Sequence, residues 1–267
     1  MPACRLGAHT FIFQQYGFDP VTQLGKILTA VAESGFDAVE LTNSSLGGES
    51  YKSQVRSALN STGLDLIGAS HGMPLWNVSE YERNFEILDE YSDRLSSMGE
   101  NLKCGMSCNG KDFAKRSSAE NDHLISAWIE VSEMFRSKDL ELNYHNHGES
   151  PKDIEFVLEN VPEDTLLMGP DLDWLRVGGT DPDAFLREHS DRISLIHIRD
   201  YHLGGDRTQA LGEGEVDFSK LGKLLEEIEF EGDLVVELAL PSGTRPDRPI
   251  VELLQTSREH IRSCMGL

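Results

Sequence analysis

The sequence predicts a single α/β domain, residues 1–267, built as a barrel of eight parallel strands and eight helices. Three observations carry that expectation. Short β-like runs alternate with helix-like segments from one end of the chain to the other. The length of 267 residues suits such a barrel, for which about 250 is typical. Third, residues with ligand-type side chains recur at run ends: His145, Asp171 and His197 follow one another at intervals of 26 residues, and Glu237 comes 40 later. In a parallel barrel all strand C-termini open onto one mouth, so residues placed this way converge.

Each element has its own signal. Arg5 to Phe13 reads as the first strand, with His9 near its exit, and Asp19-Pro20 opens a helix that runs to Ser34 and stops at Gly35. Phe36 to Leu41 is the second strand, carrying Glu40, and Tyr51 to Leu59 the helix after it. Leu64 to Ser70 leads into His71, and Ser79 to Met98 is a long helix with Phe85, Leu88, Tyr91 and Leu95 on one face. Asn101 to Met106 is a weaker fourth strand and Ala119 to Arg136 its helix. The fifth strand begins at Leu140, followed by the helix Pro151 to Asn160. Thr165 to Asp171, Ile193 to Ile198 and Asp233 to Leu238 complete the strands. Asp181 to His189, Asp217 to Ile228 and Arg248 to Met265 complete the helices. No G-x-G-x-x-G follows the first strand, so an open sheet with a dinucleotide site has no support.

Composition narrows the function. The balance of 24 basic against 46 acidic residues, a net charge of −22, excludes a phosphate-backbone partner, which needs clustered Lys and Arg. Such an excess suits a salt-rich cytoplasm, where self-repulsion is screened. No long apolar run is present and MPACRLGAHTF has no hydrophobic signal region, so a soluble cytoplasmic protein with no membrane partner is expected. The four cysteines, Cys4, Cys104, Cys108 and Cys264, lack zinc-knuckle spacing and read as free thiols. No G-x-S-x-G supports a serine hydrolase.

The stretch LELNYHNHGES, Leu140 to Ser150, is the most informative. His145 and His147 are separated by one residue, so on a strand both imidazoles face one side, an arrangement for a metal or for proton transfer. The alternative is a pair of histidines satisfying backbone groups at a strand end. The regular spacing to Asp171, His197 and Glu237 favours the metal.

Beyond these residues, GFDAVEL, YHNHGE, PDLDWLRVGGTDP, IHIRD, LGEGEVDF and VVEL occur in an order and spacing that resembles the xylose isomerase-like TIM barrels. That group includes sugar isomerases and epimerases, inosose dehydratases and barrel-type AP endonucleases. The resemblance spans the chain and implies one divalent metal ion at the mouth, held by His145, Asp171, His197 and Glu237. Asp171 is preferred to Asp173 because the family's ligand stands three residues before a tryptophan, here Trp174; His147 and Asp173 are the fallback ligands. The sequence departs from the epimerases at His145, where they carry glutamate. Two imidazoles with two carboxylates suit Mn²⁺, Co²⁺, Fe²⁺ or Zn²⁺ better than Mg²⁺, and Mn²⁺ is the metal expected.

The activity so implied is isomerisation or epimerisation of a keto- or aldo-sugar through a metal-stabilised enediolate. The alternatives are a dehydratase acting on a keto-inositol or 3-keto-glycoside, and a sugar-binding barrel without turnover. Glu237 would be ligand and base, with His147 and Glu149 as the other catalytic candidates. His71, Trp174 and Arg199 are the substrate-binding candidates. Arg199 and Asp200 read either as substrate contacts or as a rim ion pair, and Gly212-Glu213-Gly214 as a mobile loop. His9 reads as structural, and His123, His189, His202 and His260 as solvent-facing. The partner expected is a small sugar or polyol, with a second copy of the chain left open.

Overall fold

The computed structural model describes residues 4–108, 113–240, 244 and 247–267. Among them are eight strands: β1 Arg5–His9, β2 Ala38–Thr42, β3 Asp65–Gly72, β4 Leu102–Ser107, β5 Leu140–Tyr144, β6 Leu167–Met168, β7 Leu195–Ile198 and β8 Asp233–Val236. They form one sheet in the order β6-β5-β4-β3-β2-β1-β8-β7. The pairs β1–β2, β1–β8, β4–β5 and β5–β6 are parallel. An isolated parallel bridge joins Met168 of β6 to Ile193, two residues ahead of β7. With a helix after each of these strands, this is the expected (β/α)8 barrel.

The elements pack as two compact units, one of residues up to Gly68 with Ile196–Leu267, the other Ala69–Leu195. In the first, the helix Leu24–Glu33 buries Leu24, Ile27, Leu28 and Val31, the stripe that a 3.6-residue period places on one side. It ends at Gly35, whose φ of 84° few side chains tolerate. In β1, a Cβ at Gly7 would collide with Ile67, so glycine here lets the larger side chain fill the interior. In the second unit, the helix Ser118–Arg136 opens with a capping box: Ser117 and Glu120 satisfy each other's backbone N–H groups. Its inner face buries Leu124, Trp128, Val131 and Phe135.

Several strands are shorter than their apolar runs. β1 stops at His9, and residues 11–13, expected as the end of that strand, open a short helix, Phe11–Gln15. The last parallel rung there is Thr10 N–H to Glu40 C=O at 3.0 Å, after which the Phe13 N–H turns back onto Thr10 C=O. β6 spans two residues because Pro170 offers no N–H to continue the ladder. β5 ends at Tyr144, ahead of both histidines. A helix not foreseen, Leu172–Gly178, follows Asp171, which is its N-cap.

None of Cys4, Cys104, Cys108 and Cys264 forms a disulfide. No helix among the described residues is long and apolar enough to cross a membrane.

Candidate metal centre

In the first unit, a buried charged cluster forms where β1, β2, β7 and β8 end. His197 Nε2 lies 2.5 Å from Glu40 Oε2, and its Nδ1 lies 2.8 Å from Glu237 Oε2. Arg199 Nη2 is 2.5 Å from Glu237 Oε1, with His9 Nδ1 3.8 Å from the same oxygen. All five side chains are buried. Burial disfavours the His197 imidazolium, but Glu40 and Glu237 outweigh it and push the group up to about 10. Burial likewise works against the Glu237 carboxylate, yet Arg199, His9 and His197 together hold it well below the usual range. His9 moves down because burial outweighs its acidic neighbours, and its Nδ1 accepts the Phe11 N–H at 3.3 Å.

In the second unit, the chain leaving β5 faces the chain leaving β6. His145 Nδ1 lies 3.1 Å from Gly169 C=O, so the ring donates there and turns its Nε2 lone pair the other way. Asp171 Oδ1 accepts the Trp174 N–H at 3.0 Å and thereby caps the helix Leu172–Gly178. His147 stands edge-on to His145, with ring centroids 5.1 Å apart, and against Trp174 at 5.3 Å. Gly148, at a φ of 87°, lets the Trp174 ring approach to 3.1 Å of where a Cβ would be. Burial raises the Glu149 carboxyl, although its oxygen accepts the His147 N–H.

Of the predicted ligands, His145, Asp171, His197 and Glu237 come together: each is buried and offers a donor atom within 4.8 Å of the others. Buried donors of that kind, two imidazole nitrogens and two carboxylate oxygens, fit a divalent metal ion. The support around them fits too. His197 is oriented by Glu40 and His145 by a backbone carbonyl, the outer partners that a ligating histidine needs.

The fallback ligand Asp173 is taken by Arg176, at 2.6 and 3.0 Å. Arg199 is engaged by Glu237, and the half-buried Trp174 packs on His147, so both lie beside the group. His71 is half-buried in β3, stacks edge-on to Tyr91 at 4.7 Å and is lowered by burial. Two expectations are corrected. His123, His189 and His260 pack against Tyr81, Phe185 and Phe218; only His202 of the four is exposed. The Gly212–Gly214 loop is also tied down. Asp200 is buried, and its carboxylate accepts N–H groups from Tyr201, Gly212 and Gly214 at 2.8 Å and from Val216 at 3.2 Å. Arg248 adds a bidentate pair with Glu213 at 2.7 and 3.0 Å.

Asp200→Ala should therefore destabilise the fold by about 3 kcal/mol, because it removes the shared acceptor of four part-buried N–H donors at once. It should also open residues 201–216 to limited proteolysis. Unchanged denaturant midpoint and cleavage pattern would refute the anchoring role. Sequence reasoning missed that role, and it missed Glu40 as the partner of His197, a contact across 157 positions that no local pattern signals.

Residues 28–264 match the family model described as xylose isomerase-like TIM barrel. Inosose dehydratase of Geobacillus kaustophilus (strain HTA426) is 22% identical over 247 residues, 79% of each chain. D-psicose 3-epimerase from Clostridium cellulolyticum H10, solved with D-tagatose, superposes with a TM-score of 0.79 at 13% identity, over 98% of this chain and 99% of that one. The apo 3-keto-D-glucoside 4-epimerase from E. coli gives 0.76 at 16% identity, over 98% and 100%. The match runs through most of the chain and agrees with the strand order, so the chain belongs to the xylose isomerase-like TIM barrel family.

Proposed function

We propose that this protein is a divalent-metal-dependent carbohydrate enzyme, a sugar isomerase or epimerase, which moves a proton at the carbon beside a carbonyl. The observation that carries the reading is the buried group of His145, Asp171, His197 and Glu237. The mixed imidazole and carboxylate donors suit Mn²⁺, Co²⁺, Fe²⁺ or Zn²⁺ better than Mg²⁺, Mn²⁺ is taken as the metal, and the barrel, residues 1–267, is taken as one domain. A bound ion would polarise a hydroxyl–carbonyl pair of the substrate and stabilise the charge that develops.

The chain's own residues supply the proton traffic. Glu237, kept ionised by Arg199, His9 and His197, takes the proton from the carbon. Glu149, whose carboxyl is raised by burial, or His147 beside it, returns one. In isomerisation that proton goes to the neighbouring carbon or oxygen. In the second reading, dehydration of a keto-polyol, it goes to the departing hydroxyl, which leaves as water while the C–H electron pair forms the double bond. Two features favour keeping this reading. The chain resembles an inosose dehydratase over 79% of its length, and His145 stands where a second carboxylate base would be needed for two-faced epimerisation.

The test is a panel of ketoses, aldoses, 3-keto-glycosides and inososes incubated in D₂O with Mn²⁺-loaded protein and followed by NMR. The expected result is metal-dependent deuterium entry beside a carbonyl, with either an isomer or a dehydrated product. A fully loaded protein that exchanges no proton on any member would reduce it to a binding barrel.

A further inference from the structure

β6 is two residues long, yet the chain beyond it must hold Asp171 in place. The backbone ladder between β5 and β6 ends at Gly169 N–H to Tyr144 C=O, 2.9 Å. Side chains from the β5 exit then take over as rungs. The His145 ring bonds Gly169 C=O at 3.1 Å. One residue on, Asn146 Oδ1 accepts the Asp171 N–H at 2.9 Å and Asn146 Nδ2 donates to the Asp171 C=O at 3.2 Å. Asn146 is fully buried, with a relative exposure of 0%. With Oδ1 of Asp171 held by the Trp174 N–H at 3.0 Å, the main chain and one carboxylate oxygen are fixed, and the other oxygen is aimed by what remains.

The geometry points to Asn146 as a positioning residue for Asp171: its carboxamide replaces the missing β6 rungs and sets the ligand's place at the site. The inference rests on the metal reading above. A carboxamide of this length is needed because the two bonds run in opposite senses to one residue. Aspartate keeps the acceptor but loses the donor and sets a charge against a carbonyl oxygen. Alanine loses both bonds. Partners that orient a ligand typically account for about 10–100-fold in metal affinity.

The experiment titrates Mn²⁺ into metal-free wild type, Asn146→Asp and Asn146→Ala by calorimetry, with the thermal melt of each metal-free protein alongside. The expected result is affinity lower by about 10–100-fold at an unchanged stoichiometry of one ion, in variants that still melt cooperatively. A purely architectural asparagine would lower the melting temperature and leave the affinity of the folded protein alone. Folded variants that bind Mn²⁺ within about twofold of wild type overturn the positioning role by itself. Wild type that binds no divalent ion overturns it together with the metal reading. Amide exchange in the metal-free wild type covers the case in which neither variant folds. The Asp171 N–H should be protected like that of Gly169, and rapid exchange at Asp171 overturns the inference.

Discussion

His197→Ala should remove most of the bound metal. Orienting partners alone account for about 10–100-fold in metal affinity, so loss of a ligand should exceed that range. The second consequence is electrostatic. Glu40 and Glu237 are both buried and both lie against His197, at 2.5 and 2.8 Å, so the variant faces two carboxylates with the shared cation gone. Removing one partner from a buried ion pair costs about 3–5 kcal/mol, and the metal-free variant should lose stability of that order. Glu40→Gln separates the two effects: it keeps the imidazole but weakens its orientation, so affinity should fall while one ion still binds. Calorimetry with elemental analysis makes the measurement, and wild-type metal content in His197→Ala would remove that residue from the site.

Turnover in Glu237→Gln, measured on metal-loaded protein with a substrate from the NMR panel, should fall by about 10²–10⁴-fold. The carboxylate is held ionised by its neighbours, whereas the amide cannot accept the proton at all. Solvent deuterium should stop entering the substrate carbon in step with turnover. Because Arg199 lies 2.5 Å from Glu237 Oε1, the variant also leaves a buried guanidinium without its carboxylate, and some stability goes with it. If the loaded variant exchanges at the wild-type rate, the base is His147 or Glu149, and Glu237 is a ligand only.

The alternation of runs and the spacing of His145, Asp171, His197 and Glu237 were legible in the sequence because a barrel strand must point its exit residue at the mouth. Element ends were less so. Residues 11–13 are apolar enough to pass for more of β1, and a run that short has no period to tell helix from strand. The helix Leu172–Gly178 did have a signal, Asp171 as N-cap and Gly179 in the left-handed region at its end, but Asp171 was read only as a ligand. Asn146, between the two histidines, carries no local signal of its role because its bonds reach 25 positions along the chain. Asp200 was placed at the rim but not in its role, because its partners are backbone N–H groups that carry no side-chain signature.

Anomalous diffraction at the manganese edge, from crystals of the full chain equilibrated with Mn²⁺, bears most directly on the metal centre. A single strong peak is expected within bonding distance, about 2 Å, of donor atoms of His145, Asp171, His197 and Glu237. The histidine ligands should be His145 Nε2 and His197 Nδ1, since Gly169 C=O and Glu40 occupy their other nitrogens. A peak elsewhere, or no peak at saturating Mn²⁺, would contradict it.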